Sequence, residues 1–228
     1  MTGIAVFISR VFARILENSP LSKWATTKSP STLANWVKSL AAIFDIDRLV
    51  SLDFAWWPFK AMELIEARFS GSEVSVFEWG SGASTIWMAR RGYQVVSVEH
   101  DQKWEVAVRF KAQELNLSYK SVIKTPITSS SPQVTSLKSG FEGLDFHDYV
   151  AEIHKYELFD LIVIDGRARV NCLIAARSHL KPGGIILFDN SNRKRYRHEI
   201  AKDWSEIVIR GLTPASPFIT QSSILAQP

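Results

Sequence analysis

The segment VFEWGSGASTIW, residues 76–87, combines an apolar run, one acid and two glycines. An apolar strand that enters a glycine turn and then a helix directs backbone N–H groups and the positive helix N-terminus towards the carboxyl end of a sheet. That edge is where α/β folds bind ligands. Gly80 and Gly82 leave the backbone of the turn bare, so that a ligand can approach it closely. The segment therefore predicts a cofactor-binding loop.

Two classes of cofactor compete for this loop. A dinucleotide fingerprint requires G-x-G-x-x-G, with an acid about 20 residues later for the ribose. Gly80 and Gly82 match it, but Thr85 takes the place of the third glycine. Glu99 has the spacing of the ribose acid, yet NAD and S-adenosylmethionine both carry ribose hydroxyls. Glu78 distinguishes between these two cofactors, because an acid at that position repels the pyrophosphate of a dinucleotide and attracts an ammonium or sulfonium group.

The rest of the sequence predicts a doubly wound α/β sheet. From residue 74 onward, short apolar strands alternate with amphipathic stretches, which is typical of a parallel sheet covered by helices on both faces. The last two strands are joined by GLTPASP without a helix, so they are expected to pair antiparallel. The predicted strands are residues 74–79, 94–100, 119–125, 159–165, 184–189, 204–210 and 218–226. Residues 126–144, rich in Ser, Pro and Gly, predict a mobile segment or a lid.

The N-terminal region is expected to be separate, so we divide the chain into residues 1–32, an amphipathic helix and connector, and a main domain over residues 33–228. The helix is predicted from an apolar stripe at helical spacing: Ile4, Phe7, Ile8, Val11 and Ile15. It packs either on its own domain or on a partner subunit of a homo-oligomer; the alternative is peripheral contact with a membrane surface. The sequence lacks the basic start and the cleavage pattern of a signal peptide.

Composition narrows the class of protein. With 228 residues and 46% apolar content, the chain can bury a full core. A net charge of +4, from 27 basic and 23 acidic side chains, is weak evidence for a nucleic-acid partner. The single cysteine, Cys172, excludes an intrachain disulfide and fits a reducing compartment, so we expect a cytoplasmic protein.

Taken in order, these motifs resemble the class I S-adenosylmethionine-dependent methyltransferases. The resemblance covers residues 55–226 and rests on FEWGSGAS, VVSVEHD, FDLIVIDG, LKPGGIILFDN and the final strand pair. It implies a Rossmann-like sheet of seven strands in the order 3-2-1-4-5-7-6, with only strand 7 antiparallel. It also implies that S-adenosyl-L-methionine is the cofactor and that the glycine loop and the acid after strand 2 hold it. The cofactor-binding residues predicted in this way are Glu78, Gly80, Ser81, Gly82, Ser84, Glu99, His100 and Asp165.

A second resemblance concerns a metal. Asp165 ends the fourth strand, and Asp189 and Asn190 end the fifth, so three oxygen ligands are expected at one rim of the sheet. Oxygen sets of this kind bind Mg²⁺. The pattern is similar to that of the catechol-type O-methyltransferases, which implies a divalent ion that activates the acceptor hydroxyl. The sequence departs from that subgroup at Ala168, where its catalytic lysine would stand. The alternative is that Asp165 caps a helix or positions the acceptor directly.

Arginines follow both predicted rim positions. Arg167 lies beside Asp165, and NRKRYRH places Arg193, Lys194, Arg195 and Arg197 beyond Asn190. Guanidinium groups bind carboxylates and phosphates, so an anionic small-molecule acceptor is one interpretation and a solvated helix face is the other.

The sequence therefore predicts a methyltransferase that acts on a hydroxyl of a small molecule or sugar, with Asp165 and Arg167 as catalytic residues. The alternatives are an RNA or protein methyltransferase with the same cofactor site, an NAD-dependent oxidoreductase and a non-catalytic binding protein.

Overall fold

The computed structural model describes Pro20 and residues 32–43, 45–202 and 204–228. The predicted N-terminal helix and nearly all of its connector lie outside these residues. In the part of the chain that the structure describes, no helix combines the length and the apolar character needed to cross a bilayer.

A seven-stranded sheet forms the centre of the molecule. Its order is β3-β2-β1-β6-β7-β9-β8, and β9 alone runs against its neighbours. Counting only the strands of this sheet, the order is the predicted 3-2-1-4-5-7-6 with strand 7 antiparallel, so the predicted topology is confirmed. The strands are β1 (Ser75–Trp79), β2 (Gln94–Glu99), β3 (Lys120–Ile123), β6 (Phe159–Ile164), β7 (Leu180–Asp189), β8 (Ser205–Gly211) and β9 (Thr220–Ala226).

Helices cover both faces of the sheet. The crossover helices α4, α5 and α7 follow β1, β2 and β6, while α8 follows β7. The described helices are α1 (Thr32–Leu40), α2 (Ile46–Ser51), α3 (Phe59–Phe69), α4 (Ala83–Arg90), α5 (Gln102–Glu114), α6 (His147–Ala151), α7 (Arg169–Ala176) and α8 (Lys194–Ile200), with 3₁₀ turns at Glu152–Lys155 and Arg177–His179. A crossover helix between successive parallel strands is the connection that such strands need.

The alternation of side chains along the strands gives the sheet two buried faces. Phe77 and Trp79 of β1 pack with α6 and α7 on one face, and Val76 packs with α3 on the other. Trp57, within the WWPF segment before α3, is fully buried and meets Trp87 edge-on at 5.8 Å between ring centroids. The central strands are apolar at nearly every position because both faces are covered.

Helix α1 is tied to the opposite end of the chain. The Trp36 indole donates a hydrogen bond to the Ser216 carbonyl at 2.8 Å, and the Ser39 hydroxyl accepts one from the Ala215 N–H at 3.0 Å. The loop between β8 and β9 therefore anchors the region of α1.

The segment expected to be a mobile region or a lid is a folded ribbon. We call residues 126–146 the strap. Two short strands, β4 (Ile127–Thr128) and β5 (Leu144–Asp145), pair antiparallel within it. The Asp145 carboxylate accepts hydrogen bonds from the backbone N–H groups of Gln133, His147 and Val134, which lower its pKa. The strap leads into α6 and carries Phe141 to the edge of the sheet where the candidate site lies.

Candidate functional site

The glycine loop is built on Glu78. This carboxylate is fully buried in β1, and its register partner on β2 is Ser97. The hydroxyls of Ser84, Thr85 and Ser97 donate hydrogen bonds to it at 2.5, 2.5 and 2.7 Å. Burial raises the pKa of Glu78 to about 7, against the lowering effect of the three hydroxyls. The carboxyl group lies beneath the loop and therefore links it to β2 and to the first turn of α4.

The serine hydroxyls of the loop also point inward. Ser84 is engaged by Glu78, and the Ser81 hydroxyl lies 2.8 Å from that of Ser97. The Trp104 indole, from α5, donates to the Ser81 carbonyl at 2.7 Å. The loop is thus held by both β2 and α5. The side chains of Ser81 and Ser84 thus stabilise the loop, and the role of these two residues in cofactor binding stays a prediction.

The two glycines of the loop have different reasons to be glycine. Gly80 has φ +102°, and a Cβ there would lie 2.7 Å from the backbone of Gly166 in the turn after β6. A Cβ at Gly82 would meet nothing closer than the Ser84 hydroxyl at 3.9 Å. The expectation that a ligand explains both glycines is therefore corrected. Gly80 is required by the packing of two protein turns, whereas Gly82 leaves open space at the start of α4.

Glu99 ends β2 at the carboxyl edge of the sheet, and its side chain is buried. Its Oε1 accepts the backbone N–H groups of His100 and Asp101 at 2.7 and 2.9 Å, and the His100 Nδ1 lies against the same oxygen. Among the described residues, no donor is hydrogen-bonded to the second oxygen, Oε2. The carboxylate is fixed through one oxygen and has the other available for a ligand.

Asp165 and Asp189 come together as predicted, but around an arginine. The Arg169 guanidinium lies 2.7 Å from Asp165 Oδ1 and 3.5 Å from Asp189 Oδ2. It also donates to the backbone carbonyls of Gly166 and Asp189 and is buried. Burial alone would lower the pKa of Arg169, but Asp165 and Asp189 raise it. The residue is therefore a permanent cation between the two carboxyl groups.

This arrangement does not fit a divalent ion. A metal held by Asp165, Asp189 and Asn190 would be close to the Arg169 guanidinium, and like charges in a buried site repel strongly. The second oxygen of Asp189 already accepts the Ser222 hydroxyl at 2.8 Å. These contacts do not support the predicted Mg²⁺ site, and Arg169 supplies positive charge between the two carboxyl groups.

The protonation of Asp165 is set by the same group of residues. Burial raises its pKa well above the usual range, the nearby Asp189 carboxylate raises it further, and Arg169 opposes both. About a quarter of the Asp165 side chain remains exposed, whereas Asp189 is almost fully buried. Asp165 therefore combines raised proton affinity with access to the edge of the sheet.

Arg167 lies at the entrance to the site. Its guanidinium stacks over the Phe141 ring at 4.8 Å, and that ring lies 5.6 Å from the His100 ring. The strap thus connects the Glu99 side of the site with the Asp165 side. Sequence reasoning did not find Phe141, because its segment has no periodicity. It also missed Arg169 as the partner of Asp165, because Asp165 lies in the turn before α7 and the helical i,i+4 rule does not apply to it.

Strand order and direction place this sheet in the fold class of the S-adenosylmethionine-dependent class I methyltransferases. Residues 77–191 match the sequence profile of a family described as Methyltransferase domain. The match spans just over half of the chain and includes Glu78, Glu99, Asp165 and Asp189. The chain belongs to this methyltransferase family.

Solved structures agree in fold. A methyltransferase-like protein from Silicibacter pomeroyi has 19% identity and a TM-score of 0.53, over 77% of this chain and 89% of that one. TrmN from Thermus thermophilus has 10% identity and a TM-score of 0.53, over 94% and 53%. No curated protein sequence was found to match this one.

Proposed function

We propose that the chain transfers the methyl group of S-adenosylmethionine to a hydroxyl of a small-molecule or sugar acceptor. The observation that carries the proposal is the arrangement of three acids around one bare loop. Glu78 lies beneath the loop, Glu99 lies at the end of β2, and the turn that holds Asp165 packs directly against Gly80. In this proposal Glu78 and Glu99 interact with the cationic nucleoside, and Asp165 interacts with the acceptor.

The residues that would hold the cofactor fit its chemistry. Oε2 of Glu99 accepts the ribose hydroxyls, the open backbone at Gly82 and the start of α4 receive the methionine part, and His100 lines the adenosine end. In its ionised form Glu78, whose pKa is about 7, provides negative charge beneath the loop, which favours a cation over a pyrophosphate. When bound, S-adenosylmethionine supplies a methyl group that is already electrophilic, so the protein has to align the acceptor and remove its proton.

Asp165 is proposed as the base that accepts the hydroxyl proton. Its raised pKa brings its proton affinity nearer to that of an acceptor than an ordinary carboxylate would have, which improves proton transfer. Arg169 keeps the carboxyl group in place through the 2.7 Å bond to Oδ1. Arg167 lies next to Asp165 and orients the acceptor. No divalent ion takes part in this scheme.

Labelled methyl transfer tests the proposal. The purified protein is incubated with S-adenosylmethionine carrying a radioactive methyl group and with a cell extract separated into metabolite, RNA and protein fractions. We expect label in the metabolite fraction, at a rate that EDTA does not change and that Asp165→Asn reduces strongly. Label confined to RNA or protein would overturn the choice of acceptor, and loss of transfer in EDTA would overturn the role of Arg169.

The competing functions have their own signatures. An NAD-dependent oxidoreductase would bind NADH and fail to bind S-adenosylhomocysteine, and a non-catalytic protein would bind the latter without labelling any fraction.

Asp189→Asn serves as a second variant in the labelling experiment, since it reduces the negative charge beside Arg169 without changing the proposed base. We place the reaction in the cytoplasm. The helix predicted within residues 1–32 is proposed to contact either a membrane surface or a second copy of the chain.

A further inference from the structure

Four cations lie on segments that meet at the edge of the sheet where Asp165 lies. Arg167 follows β6, Arg193 and Arg195 lie at the start of α8, and Lys138 comes from the strap. We call these four residues the cationic rim. Partial burial, and then the positive charges of Arg167, Arg193, Arg169 and Arg195, lower the pKa of Lys138. Three separate parts of the chain therefore bring positive charge close enough to interact.

The aromatic ring of Phe141 joins two members of the rim. The Arg167 guanidinium lies 4.8 Å from the ring centroid, and the Lys138 ammonium lies 5.8 Å from the same centroid. The cation–π interactions with Phe141 hold Lys138 and Arg167 near each other, although the two positive charges repel. The strap is thus positioned to bring Lys138 towards Arg167.

Arg167 has donors that are not used. Its Nε is buried without a hydrogen-bond partner, and its bond within the described residues runs from NH1 to the carbonyl of Gly166 at 3.2 Å. Burial is the main cause that lowers the pKa of Arg167, followed by repulsion from Arg169. A buried guanidinium donor without an acceptor is costly unless a ligand supplies one.

The rim also lacks acidic partners of its own. Within residues 32–43, 45–202 and 204–228, no carboxylate lies within ion-pair distance of Lys138, Arg167, Arg193 or Arg195. Neighbouring Arg197 shows the contrast, because it forms two hydrogen bonds with Glu206, at 2.7 and 2.8 Å. Arg197 is therefore a structural residue of α8 and β8. Arg197 therefore does not belong to a solvated basic face over residues 193–197, which was one interpretation of the sequence.

We infer that the cationic rim binds an oxyanion, the carboxylate or phosphate group of the acceptor, and so holds the acceptor hydroxyl at Asp165. This inference rests on the proposed function, since it names the substrate class of the same site. Guanidinium groups form paired, charge-assisted hydrogen bonds with such groups, and a bound oxyanion would satisfy the donors of Arg167 and relieve the repulsion among the four cations.

Titration with simple oxyanions tests the inference. The protein, saturated with S-adenosylhomocysteine, is titrated calorimetrically with inorganic phosphate and with acetate at constant ionic strength. We expect saturable binding of at least one of them; the stronger of the two distinguishes a phosphate from a carboxylate group. Arg195→Gln and Lys138→Gln should each raise the Kd about tenfold, the loss expected for one charge-assisted hydrogen bond.

Lys194→Gln is the matched control, because it removes the same charge from an exposed neighbour that lies outside the rim. It should leave the Kd unchanged. Absence of binding by the wild-type protein, or an equal loss in the control, would overturn the inference. Tight, salt-dependent binding of a single-stranded RNA, weakened equally by Lys194→Gln and Arg195→Gln, would indicate a nucleic-acid surface instead. The affinity for S-adenosylhomocysteine, measured in each variant, reports separately on the cofactor site.

Discussion

At the scale of single residues, Glu78 determines how the loop is built. One carboxyl group accepts hydroxyls from Ser97 on β2 and from Ser84 and Thr85 on α4, and the Thr85 hydroxyl also accepts the Gly82 N–H at 2.9 Å. A single acid therefore connects strand, turn and helix. The hydroxyls compensate in part for the loss of water around the carboxyl group.

The raised pKa of Glu78 predicts a dependence of stability on pH. Its value in the folded protein is about 7, against 4.5 ordinarily, so folding favours the protonated form. The contribution to stability is complete below pH 4.5 and is lost as the pH rises through 7, with a span on the order of 3 kcal/mol. Urea denaturation of wild-type protein and Glu78→Gln over this range measures it. The difference in unfolding free energy between the two should change with pH; a constant difference would contradict the assignment.

The sequence allowed Glu78, Glu99, Asp165 and Asp189 to be predicted as neighbours, because each ends or approaches the end of a parallel strand. It did not reveal Ser97, whose role depends on the register between β1 and β2. Nor did it reveal that the space between Asp165 and Asp189 contains Arg169. The contact of Ser97 with Glu78 and the position of Arg169 both depend on where these side chains point in the folded protein. The spacing of residues along a strand does not determine that direction.

At the scale of elements, two turns pack against each other at the edge of the sheet. Gly80 follows β1 and Gly166 follows β6, and the Gly166 backbone is too close to Gly80 for a side chain at position 80. A Cβ on Gly166 would lie 1.9 Å from the Tyr149 hydroxyl of α6. The contact fixes the Asp165 turn relative to the cofactor loop, so the two halves of the proposed site are positioned by their glycines.

Substitution of Gly80 tests this contact. Gly80→Ala combines a left-handed φ with a clash against the Gly166 backbone, and we expect a loss of roughly 2 to 5 kcal/mol in unfolding free energy. Gly92→Ala is the control, since Gly92 has φ +77° and no atom within 4 Å of an added Cβ. It should lose only about 1 to 2 kcal/mol. Equal losses in chemical denaturation would show that the two turns do not need to be this close.

The seven main strands were predictable because their apolar runs are short, dense and separated by turn residues. The strap was not. Its ribbon depends on contacts between distant residues, such as the Ser129 N–H to the Gly143 carbonyl at 2.9 Å and the hydrogen bonds to Asp145. A segment stabilised by backbone pairing and one carboxylate has no periodic apolar pattern from which to predict it.

At the scale of the whole molecule, the order of the sheet assembles the site. The parallel strands β1, β2, β6 and β7 lie side by side and end at the same edge, so residues far apart in sequence meet there. The strap and α8 then enclose this edge and bring the cationic rim to it. Topology thus brings the residues of the proposed cofactor site together, and the segments after β3, β6 and β7 carry those of the proposed acceptor site.

The central claim is that this edge of the sheet binds S-adenosylmethionine through the second oxygen of Glu99. Its most direct test is a calorimetric titration of S-adenosylhomocysteine into wild-type protein, Glu99→Gln and Asp101→Asn. Asp101→Asn is the control, because asparagine keeps the N-cap of α5 while removing a carboxylate two residues away. We expect wild-type protein and the control to bind equally, and Glu99→Gln to lose about 1 to 3 kcal/mol. Unchanged affinity in Glu99→Gln, or binding of NADH in place of S-adenosylhomocysteine, would contradict the account.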